Sequence, residues 1–231
     1  MKPICFIGAR GGSKGVPGKN VRLLAGKPLI SYTIKSSIKS KIFQSIIVST
    51  EDNEIARIAK KYGAEVPFIR PKELATDNAG MDDVIIHGIK KLRSLGYKFN
   101  ILVNRDCTVP FIRNIDVAGS IKLLKKKKCY GVYGVYKQHH NPYFNMMEPN
   151  SSGFLRFSKS LGKKIKSRQD APMVYQLNGL FTVYVDKLLK HGKLYMTKIL
   201  PYEMPPETGL MIDTEFEFQI AEMIAQKKII I

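Results

Sequence analysis

Residues 8–20, Gly-Ala-Arg-Gly-Gly-Ser-Lys-Gly-Val-Pro-Gly-Lys-Asn, follow directly on an apolar segment at residues 3–7. Glycines let backbone N–H groups approach phosphate oxygens closely, and Arg and Lys side chains add charge-assisted hydrogen bonds. The spacing is not that of a Walker A loop, because Asn20 stands where that motif has Ser or Thr, nor is it the dinucleotide GxGxxG pattern. The segment predicts a phosphate-binding loop after a first strand. A flexible loop with incidental basic residues is the alternative.

Short apolar runs alternate with helical segments around this loop, as far as residue 136. We predict strands at 3–8, 45–49, 100–103 and 131–136, and helices at 28–40, 54–62, 84–96 and 115–127. Such alternation is typical of an α/β fold, a mostly parallel, Rossmann-like sheet with helices on both faces. Ligands of open α/β sheets bind at the carboxyl ends of the strands, where residues 8–20 would lie.

Residues 138–172 break this pattern, because they are polar and rich in Lys, Asn and Ser. Two strand-like pieces at 143–147 and 154–157 predict a hairpin or flap inserted in the main domain. The chain then returns with a strand at 180–185 and ends with an amphipathic helix at 214–226. No repeat or linker divides the chain, so we predict a single domain over residues 1–231 with one excursion.

The net charge of +19 restricts the partners of the protein. An excess of Lys and Arg attracts polyanions, which can be nucleic acids or phosphorylated small molecules. Much of this excess, including the run from Lys125 to Lys128, is expected on a solvated surface at the end of a helix. No interleaving of aromatic and basic residues and no zinc-finger spacing is present, so nucleic-acid binding is only a remote alternative.

The three cysteines, Cys5, Cys107 and Cys129, show no metal-ligand spacing and indicate a reduced, cytoplasmic protein. The N-terminus enters a strand-like segment too early for a signal peptide. No apolar run approaches the ~20 residues that a membrane-spanning helix needs. We therefore expect no membrane partner.

The segment at 9–20, with Leu-Ala-Gly-Lys-Pro-Leu-Ile at 24–30, resembles the opening motif of the acylneuraminate cytidylyltransferase family. Three later segments are similar to family motifs in the same order along the chain. They are Arg-Pro-Lys-Glu-Leu-Ala-Thr-Asp at 70–77, Arg-Gln-Asp-Ala-Pro at 168–172 with Asn178-Gly179, and Ile-Asp-Thr at 212–214. The resemblance covers nearly the whole chain and implies transfer of CMP from CTP to the anomeric hydroxyl of an acidic nonulosonic sugar, with release of pyrophosphate.

The resemblance also implies roles for particular residues. Catalytic roles fall on Lys19, Arg10 and Asp213, and the nucleotide-binding residues are Arg10, Gly11, Gly12, Ser13, Lys14, Lys19, Asn20, Arg70 and Asp77. Arg70 and Asp77 would face the nucleoside, and a loop ion pair between them is the alternative. The acidic sugar would meet Lys137, Arg168, Gln169 and Asn178, although Arg168 can also be a plain surface residue. In the resembling family, a flap reaches across a homodimer.

A magnesium ion is implied in the same way, but the family's ligand pattern is incomplete here. The family usually shows DxDT, and Met211 stands where its first aspartate would be, which leaves Asp213. Asp106 follows a strand end at a position where related enzymes for eight-carbon ulosonic acids carry an aspartate. We expect Asp106 and Asp213 to bind Mg²⁺ together. A turn or helix cap for Asp106, and a helix N-cap for Asp213, are the alternatives.

Two alternatives to this function remain. One is a nucleotidyltransferase for another sugar, such as an eight-carbon ulosonic acid, and the remote one is a basic nucleic-acid-binding protein.

Overall fold

The computed structural model describes residues 1–162 and 165–227. The apolar segment at its start forms strand β1, in which Ile4 and Phe6 face one side of the sheet and Cys5 and Ile7 the other. All four side chains are fully buried. Burial on both faces is the property expected of a strand inside a sheet that helices cover on both sides.

The elements follow one another in the order that the sequence predicts, with a few additions. The strands are β1 (Ile4–Gly8), β2 (Leu23–Leu24), β3 (Lys27–Pro28), β4 (Ser45–Ser49), β5 (Ile101–Arg105), β6 (Gly131–Lys137), β7 (Met147–Pro149), β8 (Leu155–Phe157), β9 (Tyr175–Tyr184) and β10 (Ile199–Glu203). The helices are α1 (Leu29–Ser40), α2 (Asn53–Lys61), α3 (Met81–Ser94), α4 (Asn114–Lys126), α5 (Val185–His191) and α6 (Glu215–Lys227).

Six strands form the central sheet, in the order β10-β6-β9-β5-β1-β4. Strand β1 pairs in parallel with β4 and β5, and β6 pairs in parallel with β10. Strand β9 runs antiparallel to both β5 and β6, with a register shift between Tyr133 and Val135. The predicted fold class, a mostly parallel α/β sheet, is confirmed.

Helices cover both faces of this sheet. On one face, α1, α2 and α4 pack on β1 and β5 through residues such as Ile34, Ile58 and Val117. On the other face, α3 and α5 pack through Ile85 and Leu188. Helix α6 closes a third apolar cluster beside the sheet with the loop that follows β1. The carboxyl ends of β1 and β5 therefore open toward one edge of the molecule, next to α6.

The C-terminal half differs most from the prediction. Strand β9 begins at Tyr175, five residues before the predicted start, and the sequence did not lead us to α5 or β10. Strands β7 and β8 form the two-stranded hairpin expected in the excursion, close to the predicted pieces. Residues 163 and 164 of that excursion lie outside the described residues. No helix in the described ranges combines the length and the apolar character needed to cross a bilayer.

Candidate active site

A cavity of about 530 Å³ lies where β1 and β5 end. Its walls come from the loop after β1, from residues 70–84, from the loop after β5 and from the segment before α6. The lining side chains include Arg10, Ser13, Lys14, Lys19, Asn20, Arg70, Asp77, Asp106, Cys107, Thr108 and Asp213. The structure thus brings most of the residues that the sequence assigned to the nucleotide and to the metal into one cavity.

The glycine-rich loop is held by contacts that leave its cationic side chains facing the cavity. Asn20 donates from Nδ2 to the carbonyl of Arg10, 2.9 Å away, and so joins the two ends of the loop. The N–H of Gly11 donates to Glu51 Oε1 at 2.7 Å. At Gly15, an added Cβ would lie 2.0 Å from the carbonyl oxygen of Asp213, so only glycine fits this approach.

Lys19 has only 9% of its side chain exposed, and its Nζ lies 2.8 Å from Asp213 Oδ1. The same Nζ also donates to the carbonyl of Ile212. A buried ammonium group needs such partners, because an unpaired charge away from water is costly. Asp213 does not cap α6. The cap is Thr214, which exchanges hydrogen bonds with Glu217 in a capping box.

Asp106 lies opposite the loop, at the end of β5, and is half-buried. Its Oδ1 accepts from the N–H and the hydroxyl of Thr108, both at 3.0 Å, so the turn alternative describes part of its role. Burial raises the pKa of the Asp106 carboxyl, although the hydrogen bonds from Thr108 and the charge of Lys19 oppose this shift. A cation in the cavity would stabilise the ionised form.

Asp77 forms an ion-pair cluster with Arg10, at 2.9 Å, and with Lys14. The hydrogen bond from Lys14, helped by the charges of Lys14 and Arg10, lowers the pKa of the Asp77 carboxyl, although desolvation opposes it. Arg70 is not part of this cluster, so the expected alternative of an Arg70–Asp77 pair is wrong. Arg70 is buried and pairs instead with Glu51, at 2.8 Å.

The residues predicted to hold the acidic sugar do not line this cavity. Lys137, at the end of β6, pairs with Glu203 at 3.1 Å. Arg168 and Gln169 are exposed in a single 3-10 turn. Asn178 is fully buried, where its Nδ2 donates to the sulfur of Met204 at 2.9 Å. Gly11 and Gly12 belong to the loop but are not among the lining residues.

Two residues that contribute to the site, Glu51 and Thr108, were not predicted from the sequence. Glu51 joins Gly11 to Arg70, and Thr108 orients Asp106. A signal for Glu51 exists, because it follows the carboxyl end of β4 as Asp106 follows that of β5. Ligand-site residues of α/β sheets gather at such ends.

Two carboxylates, Asp106 and Asp213, share the cavity with the cationic loop. The described residues contain no group of three or more His, Cys, Asp and Glu side chains arranged to hold a metal. Two carboxylates suit Mg²⁺, which usually takes one or two carboxylates and completes its coordination with water and substrate phosphates. The donor set present therefore fits a magnesium ion that binds together with a nucleotide.

A cationic, glycine-rich loop after the first strand of an α/β sheet, facing one carboxylate at a strand end and one before a helix, defines a nucleotidyltransferase. A family model described as cytidylyltransferase matches residues 4–231, and the chain belongs to that family. The resemblance seen in the sequence is thereby confirmed.

Individual relatives and solved structures agree with this assignment. The chain is 31% identical over 229 residues to post-translational flagellin modification protein B of Campylobacter coli, which covers 97% of this chain and 95% of that protein. It is 30% identical over 230 residues to CMP-N,N'-diacetyllegionaminic acid synthase of Campylobacter jejuni, with the same coverage. A CMP:2-keto-3-deoxy-manno-octonic acid synthetase solved with CTP superposes with a TM-score of 0.74 at 16% identity, over 99% of this chain and 100% of that chain, and shares its fold.

Proposed function

We propose that this protein transfers CMP from CTP to the anomeric hydroxyl of an acidic nonulosonic sugar and releases pyrophosphate. The observation that carries the proposal is the cavity in which the loop after β1 faces Asp106 and Asp213. Membership of the cytidylyltransferase family supports CTP as the nucleotide. The legionaminic acid synthase relative, aligned over nearly the whole chain, supports the class of sugar.

In this reaction the sugar hydroxyl attacks the α-phosphorus of CTP, a new P–O bond forms, and the bond to the pyrophosphate oxygen breaks. Negative charge grows on the phosphate oxygens, so positioning and positive charge supply most of the catalysis. Arg10, Lys14 and Lys19 line the cavity and bring three positive charges to it. Lys19, held in place by Asp213, is the cation assigned to the reacting phosphate.

Magnesium is proposed as the cofactor, with Asp106 and Asp213 as its protein ligands. When bound, such an ion neutralises phosphate charge and aligns the leaving pyrophosphate. The protein's own contribution is to keep both carboxylates at one cavity. The hydroxyl of Thr108 donates a hydrogen bond to Asp106, and Lys19 forms an ion pair with Asp213.

The acidic sugar is assigned to the region of Lys137 and Arg168. Lys137 forms an exposed ion pair with Glu203, and because such a pair contributes little stability, a substrate carboxylate can compete with Glu203 for it. A guanidinium such as that of Arg168 binds a carboxylate in a bidentate manner. Because Arg168 and Gln169 are exposed and lie away from the cavity, their role depends on closure of the excursion or on a second subunit.

We also propose a homodimer that works in the cytoplasm. Eight of the 18 exposed large hydrophobic side chains among the described residues fall between positions 146 and 175, in or next to the excursion. Such a concentration of exposed apolar surface marks an interface. The three cysteines are free and buried, as expected in a reducing compartment.

The decisive experiment is a substrate panel with pyrophosphate detection. The purified protein is incubated with magnesium and each of the four nucleoside triphosphates, together with sialic, legionaminic or pseudaminic acid or an eight-carbon ulosonic acid. We expect pyrophosphate only with CTP and a nine-carbon acid. Turnover with the eight-carbon acid alone would support the alternative sugar, and absence of turnover with every pair would contradict the proposed function.

A further inference from the structure

A second cavity, of about 1120 Å³, lies between α1, the segment that leads into α4, and α6. It shares no lining residue with the cavity at the ends of β1 and β5. Four basic residues, Lys27, Lys35, Lys39 and Arg113, line it, against one acidic residue, Glu222. The reaction proposed above uses none of them.

The basic side chains come from two directions. Lys35 and Lys39 are four residues apart on α1, so they lie on one face of that helix. Neither forms an ion pair with a described residue, and Lys35 Nζ lies 4.9 Å from the ring centre of Tyr62. Arg113 directly precedes α4 and uses only Nε and Nη2 to bind Asp116. Lys35 and Lys39 are therefore not neutralised by described carboxylates. Arg113 is paired with Asp116, and only its Nη1 group forms no hydrogen bond with a described residue.

Helix α4 begins at this cavity. Its first residue, Asn114, is a lining residue, and no side chain caps the 13-residue helix at this end. The helix dipole favours an anion at such an end, where the first turn already holds one carboxylate, that of Asp116.

A buried cation behind the cavity wall provides an independent observation. Arg105 is fully buried, and no described carboxylate lies within ion-pair distance of it. Its guanidinium donates only to neutral groups, among them Ser37 Oγ at 2.9 Å and the carbonyl of Ile112 at 2.8 Å, and its Nε has no partner. It also contacts Ser36, at 3.3 Å, and both Ser36 and Ile112 line the cavity. A buried charge without a counterion is costly, and an anion across this wall would offset that cost.

We propose that this second cavity binds a phosphorylated small molecule, with its phosphate near Lys35, Lys39 and Arg113 and its apolar part against Tyr32 and Phe111. The unpaired lysines and the N-terminus of α4 favour a phosphate, and the two aromatic lining residues favour an organic ester. The cavity, at about 1120 Å³, is slightly larger than the usual small-molecule site of up to about 1,000 Å³, so it has room for an organic phosphate. The inference does not depend on the proposed cytidylyl transfer.

Calorimetric titration of the full-length protein with pyrophosphate tests the phosphate half of the proposal. We expect two classes of site in the wild type, one for each cavity. The double substitution Lys35→Ala with Lys39→Ala should weaken binding at the second cavity by roughly tenfold or more and leave the affinity of the other class of site unchanged. Lys19→Ala should abolish binding at the cavity where β1 and β5 end. If Lys19→Ala does not fold, Lys14→Ala takes its place in the experiment. The control, Lys125→Ala with Lys126→Ala, removes the same charge from the far end of α4 and should change neither class.

Two results would overturn the proposal. One is a single class of site that Lys19→Ala abolishes, and the other is an equal loss of affinity in the control pair, which would show general attraction to positive charge. The apolar half is tested in the Lys19→Ala variant by comparing inorganic phosphate with phenyl phosphate. Tighter binding of phenyl phosphate supports contact with Tyr32 and Phe111, and equal binding contradicts it.

Discussion

Lys19 Nζ lies 2.8 Å from Asp213 Oδ1, although 194 positions separate the two residues in the chain. The lysine is almost fully buried, whereas the aspartate keeps 59% of its side chain exposed and lines the cavity. The contact joins the loop after β1 to the segment before α6. A nucleotide that binds Lys19 and a metal that binds Asp213 would therefore contact two side chains that are already paired with each other.

The first prediction concerns that pair. Asp213→Asn should lower turnover by about 100-fold or more, because Lys19 loses its orientation and the metal loses a carboxylate. The free energy of unfolding should fall by about 2–3 kcal/mol, because the buried Lys19 loses its counterion while the carbonyl of Ile212 still accepts from it. Steady-state kinetics and urea unfolding measure the two effects. Glu215→Gln, which breaks the exposed pair with Arg22, is the matched control and should leave turnover unchanged.

A second prediction concerns Gly15. Its added Cβ would lie 2.0 Å from the carbonyl oxygen of Asp213, so in Gly15→Ala the loop and this segment must move apart. A displacement of this kind should cost about 100-fold in turnover. Gly12→Ala, where an added Cβ meets no atom within 4 Å, should keep its free energy of unfolding within ~1 kcal/mol of the wild type. Equal stability and activity in the Gly15→Ala variant would contradict the close approach.

Glu51 is predicted to stabilise the glycine-rich loop through its contacts with Gly11 and Arg70. Glu51→Gln keeps the size of the side chain but leaves Arg70, which is 4% exposed, without its counterion. The free energy of unfolding should fall by about 3 kcal/mol, and KM for CTP should rise because Gly11 also loses a charged acceptor. The control is Glu54→Gln, whose exposed pair with Arg57 should contribute less than ~0.5 kcal/mol. Similar losses in both variants would argue against a special role for Glu51.

The raised pKa of Asp106 predicts a pH dependence of stability. Because burial raises this pKa above its ordinary value of 3.8, the native state keeps the proton to a higher pH than the unfolded chain does. Between those two values the native state binds more protons, so the free energy of unfolding falls as pH rises. Asp106→Asn removes this fall.

Urea unfolding with a metal chelator, between pH about 4 and 7, measures the effect. The free energy of unfolding of the wild type minus that of Asp106→Asn should decrease as pH rises through this range. Asp186→Asn, at an exposed carboxylate on α5 that pairs with Arg93, is the matched control. Parallel curves for Asp106→Asn would show that the carboxyl titrates normally.

Much of the fold could be predicted from the sequence because local pattern and tertiary structure agree. Strand β4 has the predicted limits, and β1 and α2 differ from theirs by one residue. Strand β9 starts five residues before its predicted limit, because residues 175–179, which include Asn178 and Gly179, do not form the apolar run on which the prediction depends. The strand in fact continues through Gly179 at a φ of +79°, beside the register shift in β6. A glycine inside a strand often marks such an irregularity.

Most of the residues that line the cavity could also be predicted, but the ion pairs that they form could not. Residues that follow the carboxyl ends of neighbouring strands meet in a parallel sheet, which places Asp106 beside the loop that carries Lys19. Asp213 precedes α6, and only its resemblance to a family motif indicated that it belongs to the site. The choice of Glu51, instead of Asp77, as the partner of Arg70 depends on side-chain directions that spacing does not encode. Burial of Asn178 likewise depends on packing against Met204, a contact between distant parts of the chain.

The last prediction concerns association through the excursion. Phe154 and Phe157 belong to or adjoin strand β8 and are 72% and 50% exposed, on a two-stranded sheet that is separate from the central one. A homodimer that buries this surface should weaken when its apolar area is lost. Phe157→Ser should raise the dimer dissociation constant by roughly tenfold or more, measured by sedimentation velocity over a dilution series. The control is Phe216→Ser on α6, 71% exposed and outside the excursion, which should leave the constant unchanged. Equal weakening in both variants would place the interface elsewhere, and a wild-type protein that sediments as a monomer at every concentration would exclude the dimer.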